Sequence, residues 1–534
     1  MKKKFLSLTL VSLMLFSLAG CGKNAEFVTE APKETTDDGI YFAADMAEEE
    51  AKASATQNSR AYLSFDYNSL SEEEYESIEE SGFKNPVTSP LSTFSSDVDT
   101  ASYSNIRRFI MDGTLPPSDA VRTEEIINYF DYDLPTPSDG TPFSVTAELN
   151  KCPWNESNLL LMLAIKGEDL SENKKTPQNL VFLIDTSGSM HQDNRLPLVQ
   201  KSFEILLDEL APSDTVTIIT YAGSSGYALK PTKVKDKEKI TDAVNSLKAY
   251  GSTNGEAGIR LAYDAALDNK VEGNNRIILC TDGDFNVGMS DNESLEKLIE
   301  EKRELGIYLT VLGFGMGNYK DSRMETLADK GNGNYAYIDS LMEAKRVLSD
   351  RLTGTLYTIA DDVKFQAEFN PKMVKSYRLL GYENRHLETE DFENDKKDAG
   401  EVGCGHTLVV LYEIEPGDAT ENAQLKYQSV KHKGDLLTFR IRYKSPGEDD
   451  SKLIEYVIDK PGKSVISENF ALAASAAELS LLLKNSEFKA DASFESVIKN
   501  AEKASKGNDP FGIRAEFKQM ASLAKILYKS YQNK

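Results

Sequence analysis

A buried strand that ends in a pattern of oxygen ligands constrains this chain more than any other feature. The apolar residues 181–184 are followed by Asp185, Ser187 and Ser189, spaced two residues apart. A strand this rich in Val, Leu and Ile is typical of a parallel sheet covered on both faces, and open α/β sheets bind ligands at the carboxyl ends of their strands. Mg²⁺ prefers oxygen ligands and keeps some of its waters, so one carboxylate and two hydroxyls suit it. An ordinary Ser/Asp turn that caps the next helix fits these residues equally well.

Two distant segments supply further oxygens of the same kind. A Gly-Ser-Thr-Asn-Gly stretch places Thr253 just before a helical pattern over residues 256–268, and a second apolar strand over 275–281 ends at Asp282. Because the carboxyl ends of parallel strands share one edge of the sheet, we expect both residues to lie beside the first loop.

These three segments resemble the metal-ion-dependent adhesion site of the von Willebrand factor type A family. The family pattern is Asp-x-Ser-x-Ser, then a Thr in a Gly/Ser-Thr-Asn loop, then an Asp in a Thr-Asp-Gly turn. It matches, position by position, Asp185, Ser187, Ser189, Thr253 and Asp282. The resemblance implies that the hydroxyls contact the metal or nearly so, and that the two carboxylates act largely through water. It also implies Mg²⁺ as the cofactor, with Mn²⁺ or Ca²⁺ as alternatives, and a protein partner that offers a carboxylate to the metal.

The surrounding pattern predicts the fold. Strand and helix patterns alternate from residue 176 to 356, which predicts a doubly wound α/β domain with parallel strands and right-handed crossovers. Glycines at 313, 315 and 317 are interpreted as loop geometry, since they lack the spacing of a phosphate-binding loop. Strand patterns before and after this domain have no sheet of their own. We therefore predict that it is inserted in an antiparallel β-sandwich, with small helical regions at both ends.

The predicted division of the chain has seven parts. These are a signal peptide at 1–20, an acidic disordered tether at 21–90, an N-terminal helical region at 91–140, the first sandwich strands at 141–175, the type A domain at 176–356, the rest of the sandwich at 357–465 and a C-terminal helical region at 466–534. Sequence segments at about residues 94–130, 403–407 and 509–517 resemble those of a family of bacterial surface lipoproteins that carry a type A domain. The resemblance assigns no function to these flanking regions.

The N-terminus is predicted to be a lipoprotein signal. Three lysines precede a largely apolar run over residues 5–18, which is too short to span a membrane, and small residues precede Cys21. The resemblance to bacterial lipoprotein signals implies that Cys21 becomes the first mature residue and carries acyl chains such as palmitate. Since more than one acyl chain anchors a protein stably, we expect a location in the bacterial cell envelope, on the extracytoplasmic side of the membrane.

Charge excludes one class of partner. The 534 residues carry a formal net charge of −25, and residues 22–90 hold sixteen Asp and Glu against five Lys and Arg. Such a segment buries too little apolar surface to fold alone, and a chain this acidic does not bind nucleic acid by charge. Three cysteines follow Cys21, and the sequence leaves open whether Cys152 and Cys404 pair.

The sequence favours a binding module over an enzyme. A hydrolase needs a general base and usually firmer ligation by His or carboxylate, and His191, directly after the metal loop, is the one candidate base. The sequence contains no HExxH, no GxSxG and no P-loop. We therefore predict a cell-surface lipoprotein that is not an enzyme and whose type A domain mediates Mg²⁺-dependent protein–protein interaction. A metal-dependent envelope hydrolase and a structural scaffold in envelope assembly are the alternatives.

The anchor is tested by removing its thiol. In Cys21→Ala no thioether to a lipid can form, so we expect the protein to shift to the soluble fraction or to persist as an unprocessed precursor. Labelling with radioactive palmitate, followed by membrane fractionation, measures this. Label that survives the substitution contradicts the prediction.

Overall fold

The structure is a computed structural model. It describes residues 73–96, 99–138, 140–171, 175–252, 255–283, 292–317, 319–397, 399–419, 434–459, 465–505, 509 and 511–532. The predicted signal peptide, Cys21 and most of the predicted tether lie outside these residues. Within them, no helix is both long enough and apolar enough to cross a membrane.

Fifteen strands and twelve α-helices are described, together with short 3-10 turns and one π-helical turn, Arg346–Asp350. The strands are β1 Leu91–Ser95, β2 Phe143–Cys152, β3 Asn155–Gly167, β4 Gln178–Asp185, β5 Thr215–Tyr221, β6 Ser225–Lys233, β7 Asn274–Thr281, β8 Tyr308–Phe314, β9 Tyr335–Ile338, β10 Thr358–Phe369, β11 Val374–Leu379, β12 Val402–Gly403, β13 Thr407–Pro416, β14 Asp435–Lys444 and β15 Ser451–Asp459. The helices are α1 Ala101–Met111, α2 Thr123–Asn128, α3 Leu196–Glu209, α4 Lys237–Asn245, α5 Gly255–Asp268, α6 Asn292–Arg303, α7 Asp321–Lys330, α8 Leu341–Lys345, α9 Leu352–Leu356, α10 Glu468–Lys484, α11 Phe494–Ala504 and α12 Ile513–Gln532.

The α/β domain is built on a six-stranded sheet in the order β6-β5-β4-β7-β8-β9. Every pair is parallel except β5 with β6. Side chains of β4 alternate between two cores, with Leu180, Phe182 and Ile184 on one face and Val181 and Leu183 on the other. Helices α3 and α4 cover the first face, and α5, α6 and α7 cover the second. The apolar run of β4 therefore reports burial on both faces, and the doubly wound fold is confirmed.

The antiparallel sandwich combines strands from both sides of this domain. One sheet has the order β1-β10-β14-β15, with β12 beside β10, and the other has the order β11-β13-β3-β2. Leu161 and Leu163 from before the α/β domain share a core with Phe365 and Phe439 from after it. The α/β domain is therefore an insertion in the sandwich, as predicted.

The helices at the two ends of the chain pack together on the second sheet. Leu160 and Met162 of β3 point into this helical core, whereas their neighbours Leu161 and Leu163 point into the sandwich. Helix α10 supplies many of the apolar side chains of this core and is buried along most of its length. At its N-terminus, the Ser467 side chain accepts a hydrogen bond from the Phe470 N–H. The N- and C-terminal helical regions thus form one layer.

Two boundaries differ from the prediction. Leu91–Ser95, expected in the helical region, forms the edge strand β1 against β10, since Phe94 is buried in the sandwich core. Residues 73–90, expected in the disordered tether, lie against the folded chain. The buried Glu73 carboxylate is 2.9 Å from Arg108 Nη2, and the rings of Tyr75 and Phe83 pack on Phe109 and Phe488.

Strand β6 runs antiparallel to the rest of the α/β sheet. The alternation of strands and helices predicts parallel pairing throughout, but β6 follows β5 through a short turn and runs antiparallel to it. Most of its side chains are exposed, and it contains Pro231, which an edge strand tolerates.

No disulfide links the three described cysteines. Cys152, Cys280 and Cys404 are buried free thiols. Cys152 belongs to the helical core and Cys404 to the sandwich core, so the pairing that the sequence left open does not occur.

A buried ion cluster joins the helical layer to the α/β domain. Arg122, at the start of α2, lies 2.7 Å from Asp321 and 2.8 Å from Glu325 of α7, and 3.3 Å from Glu125. All four side chains are at most 6% exposed. Burial raises the pKa of Glu325 and of Glu125, and the Arg122 guanidinium opposes that rise. Glu325 has a second cation, since Arg385 Nη2 lies 3.0 Å from its Oε1, whereas no salt bridge from another arginine or lysine to Glu125 or Asp321 is found among the described residues.

Removing Arg122 tests its role in this cluster. Arg122→Met keeps much of the length of the side chain but leaves Glu125 and Asp321 without their arginine and Glu325 with Arg385 alone, and we expect a loss of roughly 3–5 kcal/mol in the free energy of unfolding. Arg260→Met is the matched control, because Arg260 is exposed on α5 and such a change stays within about 0.5 kcal/mol. Chemical denaturation measures both. Equal midpoints for the two variants contradict the prediction.

Candidate metal centre

Two acidic residues emerge side by side from the middle of the parallel sheet. β4 and β7 pair with Ile184 opposite Cys280, so Asp185 at the end of β4 and Asp282 just after β7 leave the sheet at the same edge. Both side chains are buried, with Asp185 fully so and Asp282 3% exposed. The structure therefore brings together these two predicted site residues.

The loop after β4 is shaped by its own polar groups. The Ser187 N–H donates to Asp185 Oδ1 over 2.7 Å, and the hydroxyls of Ser187 and Ser189 are 2.9 Å apart. Ser187 is buried, whereas Ser189 is partly exposed. The buried carboxylate thus lies behind a pair of hydroxyls, and Ser189 is on the solvent side.

A second loop is attached to the first by backbone hydrogen bonds. The Tyr250 N–H donates to the Thr186 carbonyl over 2.8 Å, and the Gly188 N–H donates to the Gly251 carbonyl over 3.0 Å. This second loop leads into Thr253, which lies outside the described residues. Its predicted role as a metal ligand stays a prediction.

Arg195 is a member of the site that the sequence analysis missed. Its Nη1 lies 2.5 Å from Asp282 Oδ2 and 2.9 Å from the Ser189 carbonyl, and its Nη2 donates to the Met316 carbonyl over 2.7 Å. The side chain is 8% exposed. A guanidinium therefore links the loop after β4, the residue after β7 and the loop after β8.

The sequence carries one signal for Arg195, in the glycine-rich loop after β8. Gly315 has a φ of +79°, and a Cβ added there would lie 2.3 Å from Arg195 Nε. The glycines interpreted as loop geometry thus include one that makes room for the arginine. Nothing in the spacing of Arg195 itself indicates that it reaches Asp282.

The electrostatics of Asp185 favour a cation. Burial raises the pKa of Asp185 to about 6, and the neighbouring Asp282 adds to the rise, while the Ser187 N–H opposes it. The hydroxyls of Ser187 and Tyr221 also lower this pKa, although Asp185 Oδ2 is buried and accepts no hydrogen bond of ordinary geometry from any described residue. Burying a carboxylate whose hydrogen bonds are weak is costly unless a cation or water compensates its charge.

These donors fit a hard divalent cation. Carboxylate and hydroxyl oxygens are ligands that Mg²⁺ and Mn²⁺ accept, and Asp185, Ser187 and Ser189 offer them in one loop. Asp282 fits a water-mediated role, because its Oδ2 faces Arg195. In the part of the chain that the structure describes, no group of three or more His, Cys, Asp or Glu side chains is arranged to hold a metal.

A doubly wound sheet with this loop at its carboxyl edge defines the class of protein. The profile of the von Willebrand factor type A domain matches residues 179–350, and a second profile, described as von Willebrand factor, matches residues 69–162. A third profile, described as the C-terminal region of the uncharacterized protein YfbK, matches residues 354–527. The chain is a protein that contains a von Willebrand factor type A domain.

Its particular family follows from one relative. The chain is 43% identical over 466 residues to the uncharacterized protein YfbK of Escherichia coli (strain K12), an alignment that covers 84% of this chain and 80% of that protein. The chain belongs to the YfbK family.

Other similarities cover less of the relative or are weaker. The uncharacterized protein sll0103 of Synechocystis is 28% identical over 192 residues, which are 36% of this chain and 44% of that protein. The human inter-alpha-trypsin inhibitor heavy chain H4 is 30% identical over 149 residues, 26% of this chain and 16% of that one. A solved structure of a von Willebrand factor type A protein from Catenulispora acidiphila is 12% identical with a TM-score of 0.40, covering 73% of this chain and 97% of that chain.

Paired glycine substitutions test the space reserved for Arg195. Gly317→Ala places a side chain at a φ of +96° with nothing within 4 Å, so we expect only the backbone cost of about 1–2 kcal/mol. Gly315→Ala adds a clash with the arginine and should cost roughly 1–3 kcal/mol more. Thermal or chemical unfolding measures the difference. Equal losses would show that Arg195 does not occupy the space beside Gly315.

Proposed function

We propose that this protein is a lipid-anchored protein of the bacterial cell envelope whose type A domain binds a protein partner through a divalent metal, Mg²⁺ in the first instance. The observation that carries the proposal is the loop after β4. There Asp185 is buried with one carboxylate oxygen that accepts no hydrogen bond of ordinary geometry from the described residues, and the hydroxyls of Ser187 and Ser189 lie 2.9 Å apart in the same loop. The bound cation would attract a carboxylate from the partner.

The direction of approach supports a binding role. In the loop after β4, Gly188 is exposed and Ser189 is partly exposed. Asp185, Ser187 and the neighbouring Asp282 are buried. A partner would therefore reach the metal from the solvent side, near Ser189, and the protein's own side chains would hold the metal from the buried side. Thr253 is proposed as a further ligand from the second loop.

Two observations favour binding over catalysis. His191, the one histidine next to the loop, is exposed, and its Nδ1 lies 2.9 Å from the Gly188 carbonyl. The hydroxyls of Ser187 and Ser189 face each other rather than a base. We propose that the site is not catalytic.

Envelope location and partner class are part of the same proposal. Cys21 after Leu-Ala-Gly supports lipidation, and the net charge of −25 argues against nucleic acid as a ligand. The bound metal would attract a carboxylate on the partner, whereas the net negative charge of this protein would repel it.

Removing the central carboxylate tests the metal site. Asp185→Ala deletes a negative charge beside the proposed cation, so we expect Mg²⁺ binding to be lost in titration calorimetry. Asp193→Ala is the matched control, because Asp193 is exposed a few residues further along the same loop, and it should bind Mg²⁺ as the wild type does.

The outcomes separate the alternatives. Unchanged Mg²⁺ affinity in Asp185→Ala contradicts the assignment of the site. Hydrolysis of peptide, ester or phosphate substrates that requires Mg²⁺ or Mn²⁺ and disappears in Asp185→Ala would replace the binding role by an enzymatic one. Capture of a partner that persists in EDTA would favour a scaffold role for the site.

A further inference from the structure

A positive side chain lies inside the proposed metal centre. The Arg195 guanidinium contacts Asp282 at 2.5 Å and the carbonyl of Ser189 at 2.9 Å, so it touches both a proposed ligand and the metal loop. We infer that Arg195 is a built-in cation that weakens metal binding by the free protein and couples the metal to an anionic partner. The inference rests on the proposed function of the site.

The count of charges gives the reason. Asp185 and Asp282 carry two negative charges when ionised, and Arg195 cancels one of them. A divalent cation therefore gives the loaded centre a net charge of plus one, and a partner carboxylate brings it to zero. Without Arg195 the loaded centre is already neutral, and a carboxylate would leave it negative. Arg195 thus makes the metal and the carboxylate depend on each other.

The position of this charge is fixed. Its Nη2 donates to the Met316 carbonyl over 2.7 Å, and the chain at Gly315 passes so close that only glycine leaves room for the side chain. Arg195 is 8% exposed, so water screens it little. Its contacts with Asp282, Ser189 and Met316 thus hold the guanidinium beside the metal loop, where its charge would repel an entering metal.

Coulomb's law sets the size of the effect. A unit charge a few ångströms from a divalent ion changes its affinity by roughly tenfold or more, even when the effective dielectric constant approaches that of water. By linkage, any anion that the loaded centre attracts must raise metal affinity by the factor by which the metal raises anion affinity.

The experiment is titration calorimetry with Mg²⁺ and with Mn²⁺ on the full chain, in chloride and in acetate at equal ionic strength. The variants are Arg195→Gln, which removes the charge, and Arg195→Lys, which keeps the charge but loses the planar fork. Arg260→Gln removes an exposed arginine on α5 and is the matched control. Thermal unfolding of each variant reports on folding.

We expect Arg195→Gln to bind the metal roughly tenfold or more tightly than the wild type, and Arg195→Lys and Arg260→Gln to stay within about threefold of it. Acetate should raise the metal affinity of the wild type more than that of Arg195→Gln. A purely structural brace predicts the opposite order, with Arg195→Gln and Arg195→Lys both weaker than the wild type.

The outcomes are distinguishable from those that test the metal site itself. A folded Arg195→Gln that binds metal as the wild type does, or more weakly, overturns the inference while the metal site stands. If Arg195→Gln does not fold, the wild type decides, because metal affinity that is insensitive to acetate overturns the inference. If the wild type binds metal in acetate but not in chloride, both the inference and the proposed function are supported, and if it binds none in either anion while Arg195→Gln does, the coupling to an anion and the proposed function are both overturned. If neither binds, both are overturned.

Discussion

The pairing of β4 with β7 places Asp185 and Asp282 at one edge of the sheet, and the candidate site depends on it. Seven residue pairs run in register from Gln178 and Asn274 to Ile184 and Cys280. A parallel ladder buried on both faces cannot slip by one residue without turning its apolar side chains around. The two carboxylates are therefore held next to each other by the packing of the core rather than by any bond between them.

Burial of the two carboxylates costs folding free energy and at the same time favours the binding of a cation. Asp185 and Asp282 repel each other, and the fold places Arg195 beside Asp282 but only hydroxyl and N–H groups beside Asp185. The cluster around Arg122 shows the other solution, because each of its three carboxylates faces Arg122 and one of them, Glu325, also faces Arg385. The difference lies in the counter-charge: Asp321 Oδ2 is 2.7 Å from Arg122, whereas no salt bridge to Asp185 is found among the described residues, so a bound cation could supply that charge.

Much of this could be predicted from the sequence, since local patterns encode it. Asp185 and Asp282 follow apolar strands, and the strands around the α/β domain alternate as sandwich strands do, so the doubly wound fold and its insertion were predictable. The role of Arg195 could not be predicted, because its contact with Asp282 joins residues 87 positions apart and follows no spacing rule. Glu73 was misread as part of a solvated tether, because an ion pair with Arg108 rather than apolar burial holds it.

The most direct test of the metal site is to locate a metal in it. Anomalous diffraction from crystals soaked in Mn²⁺ should show one peak within coordination distance, about 2.1 Å, of the Ser187 and Ser189 hydroxyls and beside the Asp185 carboxylate. Density for Arg195 on Asp282 in the same map would show that the cation and the metal coexist. A Mn²⁺ peak elsewhere on the protein with none at this loop would contradict the account.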